Sequence, residues 1–328
     1  MAKPKLRAMI LAGGLSTRLY PLTRQVPKPL VPLAGLPNAA HLIRYLTSYG
    51  FDEIAINVHY LADMIVAALG DGSAYGARLE YLYEKELLGS AGAVKEMQAF
   101  LGGESFVVIG CDDLTDMRLD RVVAFHKEKS ALATIGLVER EEVDQYGVVV
   151  TDGSGKITGF QEKPSKGTER SKLVNTGIYV FTPEIFEHIP AGTFYDFGKD
   201  LFPALQQAGA AFYGFDARGA QWHDIGTPAE YRAATSDVLT GKLRIPGFSV
   251  DGSVWIGPAA KIAPTARIDG PSVIGDRVQV GDGARIERSI IWEGARIGKG
   301  AVLRDSIVGM NYEVAPGATL ENAIVANE

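Results

Sequence analysis

The sequence predicts an α/β domain joined to a parallel β-helix. Two patterns lead there. Through residue 240, short apolar runs alternate with segments of helical spacing. Beyond Lys242, a branched apolar residue returns every six positions. Glycine is the compositional outlier at 38 of 328 residues, nearly 12%, against roughly 7% on average.

In order along the chain, Ala8–Ala12, Ile54–Val58, Phe106–Ile109 and Ala133–Val138 read as strands buried on both faces. Helix-like segments lie between them at 38–48, 61–69, 91–101 and 119–129. This alternation predicts a mostly parallel sheet flanked by helices. Further strands are expected near 147–152, 157–162, 173–181 and 211–216, with helices near 183–188, 198–208 and 228–239. The six-residue series then runs Ile256, Ile262, Ile268, Ile274, Val280, Ile286. It slips by one to Ile291, Ile297, Leu303, and slips again to Val308, Val314, Leu320. A β-sandwich with regular turns is the competing reading, and a run of equal intervals favours a coil. At ~18 residues per coil, about 75 residues make roughly four coils. The segment 241–253, GKLRIPGFSVDGS, reads as the junction, so the expected domains are 1–241 and 242–328.

Composition narrows the function. With 46% hydrophobic and 22% charged residues, the chain is globular rather than disordered. Its net charge is −6, from 33 basic and 39 acidic residues with no long run of either sign, which argues against a nucleic-acid polymer as partner. The single cysteine, Cys111, excludes an intrachain disulfide or a cysteine zinc site and points to a reducing compartment. It reads as a small strand-end residue, not a nucleophile. No apolar run reaches the ~18 residues of a membrane span. The basic, then apolar start MAKPKLRAMILAGG is too short and lacks an Ala-x-Ala site, so a cytoplasmic protein is expected. The five histidines show no metal spacing.

The densest chemistry lies at residues 11–29, LAGGLSTRLYPLTRQVPKP. Leu11, Ala12, Gly13 and Gly14 end a strand, and glycine lets a backbone turn sharply and approach a ligand. Exposed backbone N–H groups, with Ser16, Thr17, Arg18 and Lys28, make a cradle for anionic phosphates. An ordinary turn followed by a solvated basic stretch has the same composition. Neither a GxxxxGK[ST] loop nor a GxGxxG fingerprint occurs.

This segment resembles the signature of the sugar-1-phosphate nucleotidyltransferases, GGxGTRLxPLTxxxPKP. Ser16 stands where that family usually has glycine, and its φ is expected to be less extreme than a glycine's. LLGSAG (87–92) resembles the family's LGTAG, and GCDDL (110–114) takes the place of NGD. YGVVV (146–150), QEKP (161–164), VNTGIYVF (174–181) and WHDIGTP (222–228) resemble the sugar-site and second-aspartate segments. The resemblance implies a Rossmann-like mixed sheet flanked by helices, followed by a left-handed parallel β-helix.

The same resemblance implies the roles. Asp112 and Asp224 bind Mg²⁺, with Asp113 a neighbouring rival to Asp112. Arg18 spans the triphosphate, Lys28 meets the phosphates at the reacting centre, and Lys163 holds the phosphate of the sugar. Leu11, Ala12, Gly13, Gly14, Ser16, Thr17, Gly89, Ser90 and Gly92 line the nucleotide, the last glycines admitting a flat base. Asp113, Gly147, Glu162, Asn175 and Thr176 serve the sugar phosphate. The partners are a nucleoside triphosphate and a sugar 1-phosphate, and both are anions, so the protein's task is charge neutralisation and alignment. The segments look most like mannose-1-phosphate guanylyltransferases, implying GTP and mannose 1-phosphate. Thymidylyl- and uridylyltransferases acting on glucose 1-phosphate share most of them. A nucleotide-sugar-sensing regulatory subunit is a reading of another class, although the charged residues are all present. An acyltransferase fits less, because no histidine follows His223. The coil's exposed edges predict a homo-oligomer, a dimer or a multiple of dimers.

Overall fold

A computed structural model of the chain describes residues 6–327; the first five residues of the leader-like stretch, and Glu328, lie outside the described residues. The chain forms two compact units. The first takes the chain up to Gly14 and Leu42–Trp222; the second takes Leu15–His41 and His223 onward. This division differs from the expected boundary at 241/242. The loop after the first strand belongs with the C-terminal strands, because residues of that unit grip it, as described below.

The first unit is built on a nine-stranded sheet. Its strands are β1 (Leu6–Leu11), β2 (Phe51–Val58), β3 (Arg78–Tyr83), β4 (Phe106–Gly110), β5 (Ala133–Glu139), β6 (Gly147–Thr151), β7 (Ile157–Glu162), β8 (Leu173–Phe181) and β9 (Phe212–Asp216). The main order is β7-β6-β8-β4-β1-β2-β3, with β5 pairing β8 and β9. β1 is parallel to β2 and β4, β2 to β3, and β9 to β5. β8 is antiparallel to β4, β5 and β6, and β7 to β6, so the sheet is mixed rather than mostly parallel. The β6–β7 pair has a local cause. Asp152 Oδ1 accepts N–H groups from Ser154 and Lys156 at 2.8 and 3.0 Å, closing a tight turn that only antiparallel strands can share.

Local chemistry also breaks the expected helix 91–101 into Gly89–Glu96 and Gln98–Leu101. Segment 183–188 is a 3₁₀ helix, and 198–208 begins as a π turn, Phe197–Leu201, before the α-helix Phe202–Gln207. Asp196 caps that turn, accepting from Gly198 and Lys199 N–H. The core beneath is aromatic: Phe197 and Phe202 stack at 5.5 Å, and Phe202 and Phe212 at 5.2 Å.

In the second unit, the helix Pro228–Leu239 starts at a Thr227 side-chain cap with Pro228 in the first turn. The strands from Val254–Ile256 to Ile324–Val325 form three parallel sheets. Each strand pairs with the strand three further along. Ile256 pairs with Ile274, 18 residues on. Ile274 then pairs with Ile291, Ile291 with Val308, and Val308 with Val325, each 17 residues on. The slip in the sequence series is thus a corner one residue shorter. At that corner stand Arg288, Asp305 and Asn322, with φ of 44°, 46° and 49°. Arg288 also holds Asp305 by two hydrogen bonds of 2.8 Å, one corner on the next.

Beside these corners runs a ladder of buried serines. Ser272, Ser289 and Ser306 are each 0% exposed. Their hydroxyls accept N–H groups from Ser289, Ser306 and Ala323 at 3.1–3.2 Å. They donate to the carbonyls of Asp269, Glu287 and Arg304 at 2.6–2.7 Å. The hydroxyls thus take up buried backbone N–H groups, while the carbonyls they donate to also accept the N–H groups of Arg288, Asp305 and Asn322 at 3.0–3.4 Å.

Candidate active site

In the first unit the glycine-ended strand β1 is held from below. Ala12 N–H donates to Asn57 Oδ1 at 2.9 Å, and Asn57 Nδ2 donates to Glu84 Oε2 at 2.6 Å. Glu84 Oε1 accepts the Leu88 N–H at 3.0 Å, tying this strand end to the segment 87–92. Gly13 is required here, because a Cβ would stand 2.6 Å from Glu84 Oε2 and 2.8 Å from Asn57 Nδ2. Asn57 and Glu84 were not among the residues expected from the sequence; Asn57 showed only as a polar residue at the end of an apolar strand, and Glu84 as one carboxylate after the mixed strand RLEYLY.

Gly89 and Gly92 have a different cause from the one expected. A Cβ at Gly89, whose φ is +74°, would lie 2.6 Å from the Tyr195 carbonyl oxygen, and one at Gly92 would lie 2.8 Å from that of Thr193. The close approach is by the protein's own backbone, to which Ala91 and Gly92 donate N–H groups at 2.9 and 3.0 Å. Ser90 Oγ donates to Asp196 Oδ2 at 3.0 Å and accepts from Phe197 N–H at 2.8 Å.

The adjacent aspartates separate cleanly. Asp113 is 4% exposed; its Oδ1 accepts from Trp222 Nε1 at 2.9 Å and its Oδ2 from Gly110 N–H at 3.0 Å. Both oxygens serve the interior, so Asp113 orders the strand ends instead of meeting a sugar. Asp112 is half-buried, with Oδ1 2.9 Å from where a Gly110 Cβ would be. Thr176 is corrected likewise: it is 0% exposed and donates to the Gly136 carbonyl at 2.8 Å. Asn175 makes a β-bulge in β8, accepting from Gly177 N–H at 2.9 Å and donating to Tyr179 Oη at 3.0 Å.

Lys163 and Glu162 remain at the surface. Lys163 has φ of +45°, a strained setting for a lysine, and its N–H bonds the Tyr146 carbonyl at 3.1 Å. Glu162 reaches over Gly147, where a Cβ would meet Phe160 at 2.8 Å and the Glu162 carboxylate at 3.2 Å. Partial burial pushes the Glu162 carboxyl above its ordinary pKa, and the Lys163 ammonium works against that shift.

In the second unit, Ser16 departs from expectation. Its φ and ψ are 55° and 40°, fully left-handed. The conformation is bound in place by its carbonyl, which accepts the Thr23 hydroxyl at 2.7 Å. Thr17 and Arg18 are exposed beside it. Lys28 is 9% exposed, on a 3₁₀ turn set between Pro27 and Pro29. Its Nζ lies 3.6 Å from Asp224 Oδ1, and Arg18 Nη2 lies 3.6 Å from Asp224 Oδ2. Gly226 leaves room for this trio, since a Cβ would sit 2.6 Å from Arg18 Nη2. The His223 ring nitrogens meet Glu230 Oε2 at 3.2 Å and Asp237 Oδ2 at 2.9 Å, which pins the backbone next to Asp224.

Among the described residues, no group of three or more His, Cys, Asp and Glu gathers as a metal cluster. Mg²⁺ asks for less: one or two carboxylates, with waters and phosphate oxygens completing its shell. Asp112 and Asp224 fit that demand by donor type and partial exposure. Asp113 does not fit, because its oxygens already serve two internal donors.

The mixed sheet, its glycine-ended first strand and the proline-clamped lysine that follows are the features the sequence resemblance leads one to expect. Comparison makes the class specific. The nucleotidyl transferase family matches residues 7–241, and the GMPPB C-terminal domain matches residues 250–328. A UTP–glucose-1-phosphate uridylyltransferase of Synechocystis is 38% identical over 88% of this chain and 83% of its own. A mannose-1-phosphate guanylyltransferase of Mycobacterium tuberculosis is 30% identical over 90% of this chain and 82% of its own. Among solved structures, a putative glucose-1-phosphate thymidylyltransferase from Bacillus anthracis superposes with a TM-score of 0.63 at 24% identity, over 70% of this chain and 94% of its own. That last likeness supports the fold alone. The chain belongs to the sugar-1-phosphate nucleotidyltransferase family, and its reaction is nucleotidyl transfer to a sugar 1-phosphate.

Proposed function

We propose that the protein joins GTP to mannose 1-phosphate, giving GDP-mannose and pyrophosphate. The match of residues 250–328 to the GMPPB C-terminal domain carries this choice. An oxygen of the sugar phosphate bonds to the α-phosphorus as the bridge to the β-phosphate breaks, and the electron pair leaves with pyrophosphate. Lys28, held at 9% exposure, presents a fixed positive charge to the reacting phosphates, and Arg18 presents a planar fork to the leaving pyrophosphate. Lys163 orients the sugar phosphate, while Glu162 and Asn175 take the sugar hydroxyls. Leu11–Gly14, Ser16 and Thr17 supply backbone N–H groups to the triphosphate. Mg²⁺, held by Asp112 and Asp224, would neutralise phosphate charge. The C-terminal sheets are a left-handed β-helix in this reading, and serve assembly into a dimer or a multiple of dimers.

A second reading, uridylyl transfer to glucose 1-phosphate, is favoured by the 38% identity to the Synechocystis enzyme. Pyrophosphate release, with each of GTP, UTP, dTTP, ATP and CTP crossed with mannose, glucose, galactose and N-acetylglucosamine 1-phosphates, separates them. Turnover confined to GTP with mannose 1-phosphate is the expected result. Dominant turnover with UTP or dTTP and glucose 1-phosphate would overturn the substrate and keep the class.

A further inference from the structure

The residues of the second unit grip a short hairpin on several sides. Its strands are Pro32–Leu33 and Leu36–Pro37, and it begins four residues after Lys28. Trp292 Nε1 donates to Tyr231 Oη at 3.1 Å, and Tyr231 Oη donates to the Pro32 carbonyl. Both side chains are buried, at 2% and 0% exposure. At the hairpin tip, Gly35 has φ of +88°, and the Trp255 indole takes the place of a side chain: a Cβ there would be 2.2 Å from Trp255 Cζ2. His41 Nε2 meets the Leu33 carbonyl oxygen at 2.9 Å. Two of the chain's three tryptophans are therefore spent on this one hairpin.

The connection from hairpin to Lys28 is short and stiff. Val31 N–H bonds the Lys28 carbonyl at 3.1 Å, and Asn38 N–H bonds the Val31 carbonyl at 3.0 Å. Prolines at 27, 29 and 32 remove three φ rotations from the same stretch. A displacement at Pro32 thus has little slack to disappear into before it reaches Lys28. The Lys28 ammonium at the end of this stretch lies 3.6 Å from Asp224.

We propose that Tyr231 and Trp292 are positioning residues: through the Pro32 carbonyl they set where Lys28 presents its charge, so the C-terminal strands tune the reacting centre. The proposal rests on Lys28 acting at the phosphates. Apart from assembly, this gives the C-terminal repeats a direct part in turnover. A misplacement of about 1 Å at a reacting group can cost about a hundredfold, so a single buried hydroxyl at this place has leverage.

The test is Y231F in the full chain, which keeps the ring and removes the hydroxyl from both of its partners. Three readouts are taken together: kcat with KM, melting temperature, and hydrogen–deuterium exchange of the amides from 28 to 38. Amide exchange there should quicken about tenfold. Turnover should fall about tenfold or more, with KM for the sugar phosphate changed much less. In a K28A background, Y231F should cost nothing further, because the residue through which it acts is gone. W292F, which removes the outer donor together with part of the buried indole, should show the same exchange and kcat pattern beside a loss of melting temperature, and it carries the test if Y231F does not fold. Unchanged exchange and unchanged kcat in Y231F would overturn the proposal. So would an equal loss of turnover with and without Lys28, which would make Tyr231 a fold residue only. A K28A chain as active as the native one would instead overturn the reading of Lys28, while the exchange result still reports the grip itself.

Discussion

Removing the Glu84 carboxylate should loosen the nucleotide loop more than it harms the rest of the fold. Glu84 is 7% exposed and accepts two hydrogen bonds, from Asn57 Nδ2 at 2.6 Å and from Leu88 N–H at 3.0 Å. Hydrogen bonds to a charged group contribute about 1.5–3 kcal/mol each, so E84A should cost about 3 kcal/mol or more in urea unfolding. E84Q is more informative. Its amide keeps one acceptor and turns a donor toward either Asn57 or Leu88, which costs about 1–3 kcal/mol. Asn57 cannot flip to relieve this without losing its bond to Ala12 N–H. Gly13 lies against the same carboxylate, so the strand end proposed to face the phosphates loses its support. The nucleotide KM of E84Q should therefore rise about tenfold, equivalent to about 1.4 kcal/mol of binding, with kcat changed much less. Steady-state pyrophosphate release at saturating sugar phosphate measures this. A native nucleotide KM in E84Q alongside a clear loss of stability would refute the reasoning, since the network would then serve the fold and not the loop.

Other changes should behave as follows. S289A strips the partner from the buried Ser306 N–H, while the Glu287 carbonyl keeps the Asp305 N–H; it should cost about 1–3 kcal/mol by urea unfolding, and a loss near zero would deny the serine ladder its role. S16G should leave turnover near native and S16V should depress it strongly, because φ of 55° suits glycine and opposes a branched side chain; equal activities would show that the left-handed turn is not needed. Burial holds the His126 pKa down to about 4 from 6.5, so the folded state binds fewer protons than the unfolded state between those values. Stability is then fully present above pH 6.5 and falls by about 3 kcal/mol toward pH 4, an acid loss that H126Q should lack in a comparison of unfolding at pH 7 and pH 5. For Glu162 the folded pKa is raised, so its ionised, hydroxyl-accepting form develops only as pH climbs above 4.5; the sugar-phosphate KM should improve through that climb in the native chain and stay flat in E162Q.

Much of this was legible in the sequence because it is local. A six-residue apolar interval follows directly from strands of a coil, and even the slip by one had physical content: it marks the corners that Arg288, Asp305 and Asn322 close in the left-handed region. Arg18 and Lys28 stood out because they share one contiguous basic segment, whereas Asp224 was singled out by the resemblance of WHDIGTP alone. What the sequence concealed depends on contacts between distant segments. Nothing near Gly89 announces that the backbone of Thr193 and Tyr195, about a hundred residues later, will lie against it. Nothing in Gly110–Leu114 says which aspartate turns inward, since that is decided by the indole N–H of Trp222. The loop 15–41 likewise belongs with the C-terminal strands because Tyr231 and Trp255 hold its hairpin, and neither residue is near it in the chain.

The glycines carry the wider point. In a phosphate-binding motif each glycine invites the reading that a ligand comes close, and at Gly14 a Cβ would meet nothing within 4 Å. At Gly13, Gly89, Gly92 and Gly226 the close neighbour is the protein itself: a carboxylate, two backbone carbonyls and an arginine. At Gly13, Gly89 and Gly92 the residue is small so that supporting groups can reach the loops, and an alanine there would push a supporting group away before it touched a substrate; at Gly226 the displaced group would be Arg18 itself. Loss of activity in such variants would thus report disordered scaffolding. Exchange rates of the neighbouring amides, measured without substrate, are what separate it from a lost substrate contact.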